Sequence, residues 1–141
     1  MAAETYDPKD ITASVDGNKI SGFAEQMITA ERESDQVVDE AGAQGDVTRV
    51  ITNDRRGNIT ITLLPTSPSN LLLSERVNGD AANGVDRRFS ILIKDQRGKD
   101  LVSASDCWIR KPPRMVWNKG VEAREWAIRA ADLHITAGGV A

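Results

Sequence analysis

The chain has 141 residues, of which 40% are hydrophobic, 28% charged and only 4% aromatic, with a formal net charge of −3. That length supports one domain spanning residues 1–141, with a core built from Ile, Val, Leu and Ala rather than from rings. The negative balance argues against a sequence-reading nucleic-acid binder, which carries a basic stripe, and the lone Cys107 excludes an intrachain disulfide.

Residues 10–15 (DITASV) alternate and close on Asp16-Gly17-Asn18-Lys19, a strong turn signal, so residues 20–24 read as the returning strand. A third strand is predicted over 27–33. It places Met27, Thr29, Glu31 and Glu33 on one face and Ile28, Ala30 and Arg32 on the other. Over 34–46 (SDQVVDEAGAQGD) the pattern dissolves into small and acidic residues, and a loop that long inside a compact domain is functional or disordered. Residues 47–64 give the strongest hairpin reading. On one arm Val47, Arg49 and Ile51 alternate with Thr48, Val50 and Thr52; on the other Ile59, Ile61 and Leu63 alternate with Thr60 and Thr62. The turn falls at 53–58, where Gly57 is free to take the positive φ of a tight hairpin. The Thr-rich face is neither greasy nor strongly charged, so it must meet water or a partner.

Pro65 stops this arm. Ser67 suits an N-cap and Pro68 the first helical position, and Leu71, Leu72, Leu73, Arg76 and Val77 predict a short amphipathic helix ending near Asn78-Gly79. A polar loop is expected over 80–86. Residues 89–94 and 101–109 form a second hairpin around 95–99, and Pro112-Pro113 limits 114–117 to a short edge segment. Residues 122–136 read two ways. Ala123, Trp126, Ala127, Ala130 and Ala131 recur at helical spacing, and local propensity leans to helix. Read with period two, Trp126, Ile128 and Ala130 share one face and Leu133 and Ile135 the other.

Chemistry has little to work with. His134 is the only histidine and has nothing beyond Asp132 near it in sequence, so it reads as a surface or interface residue rather than a base. Cys107, beside Trp108 in an alternating strand, reads as a small buried thiol. Zinc needs a Cys/His cluster, and calcium needs an Asp-x-Asp-x-Asp-Gly spacing that the acidic run 31–46 lacks. Gly42-Ala43-Gln44-Gly45 is followed by Asp46, which would repel a phosphate. No catalytic residue, metal or cofactor is expected. An enzyme built on a carboxylate pair has no motif behind it. No apolar run approaches bilayer length and no signal peptide precedes Tyr6, so synthesis in a reducing cytoplasm without membrane insertion is expected.

Taken together, the segments resemble the hexameric tail tube proteins of bacteriophages. The resemblance rests on Tyr6-Asp7-Pro8-Lys9-Asp10, Asp16-Gly17, Ile20-Ser21-Gly22-Phe23-Ala24 and Ala43-Gln44-Gly45-Asp46-Val47-Thr48-Arg49. It continues through Gly57-Asn58-Ile59-Thr60-Ile61-Thr62-Leu63 and Pro65-Thr66-Ser67-Pro68-Ser69-Asn70. Ile91-Leu92-Ile93-Lys94-Asp95, Trp108-Ile109-Arg110-Lys111-Pro112-Pro113 and Arg124-Glu125-Trp126 complete it. The acidic stretch 34–40 departs from the family pattern. The resemblance implies a mainly β fold, an antiparallel β-sandwich or rolled barrel with one short flanking α-helix. It also implies hexameric rings stacked helically into a tube that carries double-stranded DNA without reading its sequence. The family pattern makes 124–135 a strand, against local propensity. The implied partners are further copies, tail sheath, baseplate or tube initiator, tail terminator and tape-measure proteins; the implied location is the tail of a virion, assembled in a bacterial host.

Elementary physics agrees with that implication. Long strands leave unpaired edges, which are an aggregation hazard unless another copy covers them. Subunits each adding about four strands would close one large barrel, its bore too wide to fill with side chains and therefore polar. Thr29, Glu31, Glu33, Thr60 and Thr62 are the lumen-facing candidates. Thr and Glu there would let a strand-borne charge every ~1.7 Å of DNA axis slide rather than stick. The 34–46 loop is the ring-to-ring candidate, through Asp35, Val37, Val38, Asp39, Glu40, Ala43 and Asp46. Two other readings stay open: a tube subunit of a phage-derived injection machine, such as a tailocin or type VI-like tube, and a monomeric β-barrel binding module whose polar rows are plain solvent faces.

Overall fold

Strand β1 (Ile11–Val15) turns through Asp16-Gly17 into the two-residue β2 (Asn18–Lys19), and both turn residues have positive φ, +49° and +83°. That is the geometry of a two-residue primed hairpin turn, and an Asp-Gly pair adopts it at little cost. The computed structural model describes residues 3–83 and 88–139. Strands β3 (Phe23–Arg32), β4 (Val37–Ala41), β5 (Val47–Ile51) and β6 (Gly57–Leu63) precede helix α1 (Ser69–Asn83). Strands β7 (Phe89–Asp95), β8 (Leu101–Lys111) and β9 (Arg124–Thr136) follow it.

Seven strands form one antiparallel sheet in the order β2-β1-β7-β8-β9-β6-β3, and β4 and β5 pair only with each other. The sheet is rolled. Its two edge strands, β2 and β3, are joined by Ile20, Ser21 and Gly22 alone, a link that spans at most ~14 Å. Laid flat, seven strands would set those edges ~29 Å apart. Of the two architectures expected, the single rolled sheet is therefore present rather than two facing sheets.

The concave side holds the core. Strand β6 alternates without a break, with Ile59, Ile61 and Leu63 buried and Thr60 and Thr62 turned away. Trp126, Ile128 and Ala130 of β9, and Phe89, Ile91 and Ile93 of β7, enter the same cluster. Each buried Ile, Leu or Phe among them contributes roughly 1.5–3 kcal/mol. Helix α1 starts as expected: the Ser69 N–H donates to Ser67 Oγ (3.2 Å). It closes the roll with the fully buried Leu73, and the Trp126 indole N–H donates to Asn70 Oδ1 at 2.9 Å.

Several expectations change. The 47–64 hairpin does not exist: β5 pairs with β4, while β6 lies between β3 and β9. The 34–46 stretch is thus not a patternless loop, since it contains β4. Gly57 serves close packing, not a turn. A Cβ there would collide with Leu133 and sit 3.0 Å from the Glu31 carbonyl oxygen. Residues 20–24 are not one returning strand, and the third strand does not begin at 27. Gly22, with φ +74°, swings the chain from the short β2 into the ten-residue β3. Glu33 falls just past that strand, where its N–H donates to the Arg56 carbonyl (3.0 Å).

The helix runs to Asn83 rather than stopping near Gly79. One interior glycine costs about 1 kcal/mol, less than the anchoring through Leu73 supplies. The polar loop expected over 80–86 is therefore helical to residue 83, and its remainder lies outside the described residues. Residues 112–123 carry no strand. Strand β9 follows the family pattern over local propensity, because β8 and β6 offer backbone partners on both sides. Leu133 is buried on the same side as Trp126, not opposite it. The phase slips at Ala131-Asp132, where β9 departs from β6 and the Leu133 N–H donates to the Arg55 carbonyl (3.0 Å).

Candidate functional site: two surfaces without a partner

The first surface is the sheet face turned away from the core. Thr29 lies opposite Thr60, and Glu31 opposite Asn58. On the other side of β6, Thr60 lies opposite Ala127, Thr62 opposite Glu125 and Asn58 opposite Arg129. Since Ile59 and Ile61 point inwards, Thr29, Glu31, Thr60 and Thr62 must share the outward face. Glu33 joins them through its side chain. Its Oε2 accepts from Arg129 Nη1 and from Asn58 Nδ2, both at 2.7 Å. Those two bonds, with the Arg129 charge, hold the Glu33 carboxyl below its ordinary value. Arg129 is thereby occupied, and the strip presents hydroxyls and carboxylates.

The second surface is the β4–β5 hairpin. Val37 faces Ile51, Val38 faces Val50, Asp39 faces Arg49, Glu40 faces Thr48 and Ala41 faces Val47. All ten residues are exposed, with Val47 at 64% and Ile51 at 63%. Every predicted ring-contact residue lies here: Val37, Val38, Asp39 and Glu40 in β4, Asp35 at the root, Ala43 and Asp46 at the tip. The reading from sequence missed Val47, Val50 and Ile51 as part of the same surface. The cue was Arg49, which interrupts the Val47–Ile51 row and so argues against a buried face.

The hairpin is pinned at its root and free at its tip. Asp54 accepts from Arg56 through Nε and Nη2 (both 2.8 Å) and backbone N (3.1 Å), and from Ser34 Oγ (3.1 Å). The Arg56 bonds hold the Asp54 carboxyl far below the usual carboxylate range. Thr52 N–H donates to the Gln36 carbonyl (2.9 Å), closing the root. At the tip only Gly42 N–H to Asp46 O (2.7 Å) and Gly45 N–H to Gly42 O (3.0 Å) bridge the arms.

The remaining candidates are chemically quiet. Cys107 is buried; burial, then the Asp106 and Asp16 charges, pushes its thiol up to about 12. His134 is exposed beside Asp132 (3.3 Å), which also takes Arg55 Nε at 2.9 Å. Slight burial works against ionisation of Asp132, but the Arg55 and His134 contacts outweigh it and its carboxyl lies below the ordinary value. Among the described residues no group of three or more His, Cys, Asp or Glu could hold a metal ion, and no helix is long and apolar enough to cross a membrane.

A rolled antiparallel sheet with one flanking helix is the arrangement that the resemblance implied; the exposed apolar hairpin was not part of that expectation. Residues 3–138 match the family of the bacteriophage PhiTE tail tube protein. The chain belongs to that family. As a tail tube protein it is similar to Structural protein ORF10 of Pseudomonas phage KPP10, at 29% identity over 96% of this chain and 83% of that protein. Its fold is shared by a chain of the extended sheath–tube complex of an extracellular contractile injection system, PVC. That likeness has a TM-score of 0.67 and 15% identity, and covers 94% of this chain and 92% of the other. A chain from the sheath/tube terminator of the same system is similar at TM-score 0.66 and 14% identity, covering 97% and 100%. The chain is thus a structural subunit of a phage tail tube.

Proposed function

We propose that this chain assembles into hexameric rings that stack into the hollow tube of a virion tail, through which double-stranded DNA passes during ejection. One observation carries the proposal: a hairpin that exposes Val37, Val47 and Ile51 on one face and Val38 and Val50 on the other, while belonging to no larger sheet among the described residues. An isolated two-stranded hairpin is marginal in water, and an apolar one is an aggregation hazard unless a second chain covers it. The free outer edge of β3 makes the same demand.

In this assembly β8, β9, β6 and β3 extend across neighbouring subunits into one barrel. Thr29, Glu31, Glu33, Thr60 and Thr62 line its bore, and the hairpin links one ring to the next. The role is structural and not enzymatic. Sheath, baseplate or initiator, terminator and tape-measure proteins are its partners, and assembly takes place in the cytoplasm of a bacterial host. Wild-type protein at high concentration gives rings or filaments in negative-stain microscopy; deletion of residues 35–45 leaves folded subunits that make no long tubes. Long tubes from the deletion, or a solitary monomer peak in light scattering at every concentration, defeat the proposal.

The fold shared with chains of an extracellular injection system favours a second reading, a tube of an injection machine that carries no DNA. Capsid genes beside the gene for this chain support the virion, and their absence supports the machine.

A further inference from the structure

The hairpin needs a receptor, and the opposite end of the rolled sheet offers one. Where β2 and the edge of β3 come together, a groove of about 440 Å³ runs along the seam. Its apolar floor includes Ile11, Phe23 and Met27, and its charged groups are Lys9, Lys19 and Glu25. The backbone is available here too. β3 pairs with β6 at Phe23 and again from Ile28, with an irregularity between, and among the described residues its outer edge has no neighbouring strand. Among the described residues neither Lys9 nor Lys19 has a carboxylate within ion-pair distance.

The hairpin complements this groove charge for charge. Residues 35–51 carry Asp35, Asp39, Glu40 and Asp46 against the single Arg49, whereas the groove carries two lysines against the single Glu25. Its Val37, Val47 and Ile51 share a face and match the apolar floor, since residues paired across an antiparallel ladder project to one side.

We infer that the β4–β5 hairpin of one copy seats in the Lys9/Lys19 groove of a second copy in the next ring, its valine face on Ile11, Phe23 and Met27 and its acidic residues on the two lysines. Each subunit then offers one hairpin and one groove, a head-to-tail contact that repeats without limit along an axis. This rests on the tube reading, and names the surface that the ring-to-ring hairpin meets.

Charge reversal tests it in the full chain. Lys9→Glu with Lys19→Glu raises the concentration needed for polymerisation roughly tenfold. Asp39, which shares the Val37 and Ile51 face, is the matching partner: Asp39→Lys with Asp46→Lys does the same, and mixing the two variants restores co-polymers that neither makes alone. Circular dichroism confirms that each variant is folded. A covalent readout removes dependence on that comparison: Lys19→Cys with Asp46→Cys forms a ladder of disulfide-linked multimers on mild oxidation, and neither single variant does. The buried Cys107 does not compete. Wild-type tubes with no loss in the lysine variant and no ladder overturn the contact while leaving the tube reading intact. Wild-type protein that stays monomeric overturns both.

Discussion

The β6–β9 ladder and the β4–β5 hairpin are written in the same alphabet, alternating β-branched residues with polar ones, yet they do opposite things. In β6, Ile59, Ile61 and Leu63 are fully covered by the roll of the sheet and by helix α1. In β5, Val47, Val50 and Ile51 stay more than half exposed among the described residues. The difference lies in the second layer, not in the strand. A strand stabilises a subunit when its own chain supplies that layer, and stabilises an assembly when another chain does.

That contrast can be broken at the core most forcefully. Trp126→Ala removes the largest fully buried side chain and strips Asn70 Oδ1 of its donor. It should cost about 3–5 kcal/mol, read by denaturant unfolding, and should prevent assembly only by unfolding the subunit. Gly57→Ala comes next. The added methyl has nowhere to go between Leu133 and the Glu31 carbonyl, so a loss of about 1–3 kcal/mol is expected in the same experiment.

The hairpin should respond in the reverse sense. Val50→Ser with Ile51→Ser should shift subunit stability by no more than about 0.5 kcal/mol, since both side chains are solvent-exposed. It should nevertheless shorten or abolish tubes in negative-stain images. A large drop in subunit stability would show that the hairpin belongs to the core after all.

The smallest effect concerns the hairpin root and its pH dependence. The folded-state pKa of Asp54 is depressed below its ordinary 3.8, so its contribution is fully present above the unfolded value and fades as pH falls through the folded one. The stability difference between wild type and Asp54→Asn should hold constant from neutral pH down to about 5. It should narrow below about 3.8, as Asp54 takes up a proton in the unfolded chain while the folded carboxylate stays ionised. A difference that narrows already between pH 7 and 5 would assign the effect to another group.

Much was legible in the residues alone, and the reason is locality. Asp16-Gly17 specifies its own turn because only two positive φ angles fit there. Ser67-Pro68 starts a helix within one turn of chain, and the alternation of β6 and β7 announces which residues face the core. The grouping of the candidate residues was legible to the same depth: Thr60, Thr62 and Thr29 do share a face, and the residues proposed for ring contact do share one hairpin.

Partnership was decided by the tertiary structure. Alternation states which side chains point the same way, but not which strand lies alongside. Nothing within 47–64 reveals that β5 joins β4 and leaves β6 to β9. Gly57 looked like a turn residue until Leu133, which is distant in sequence, filled the space its missing side chain leaves. Residues 124–136 favoured helix until β6 and β8 offered hydrogen bonds along both edges. Sequence settles what a segment can form, because propensity and periodicity act over a few residues. Which of those forms is realised depends on contacts that exist only once the sheet has rolled.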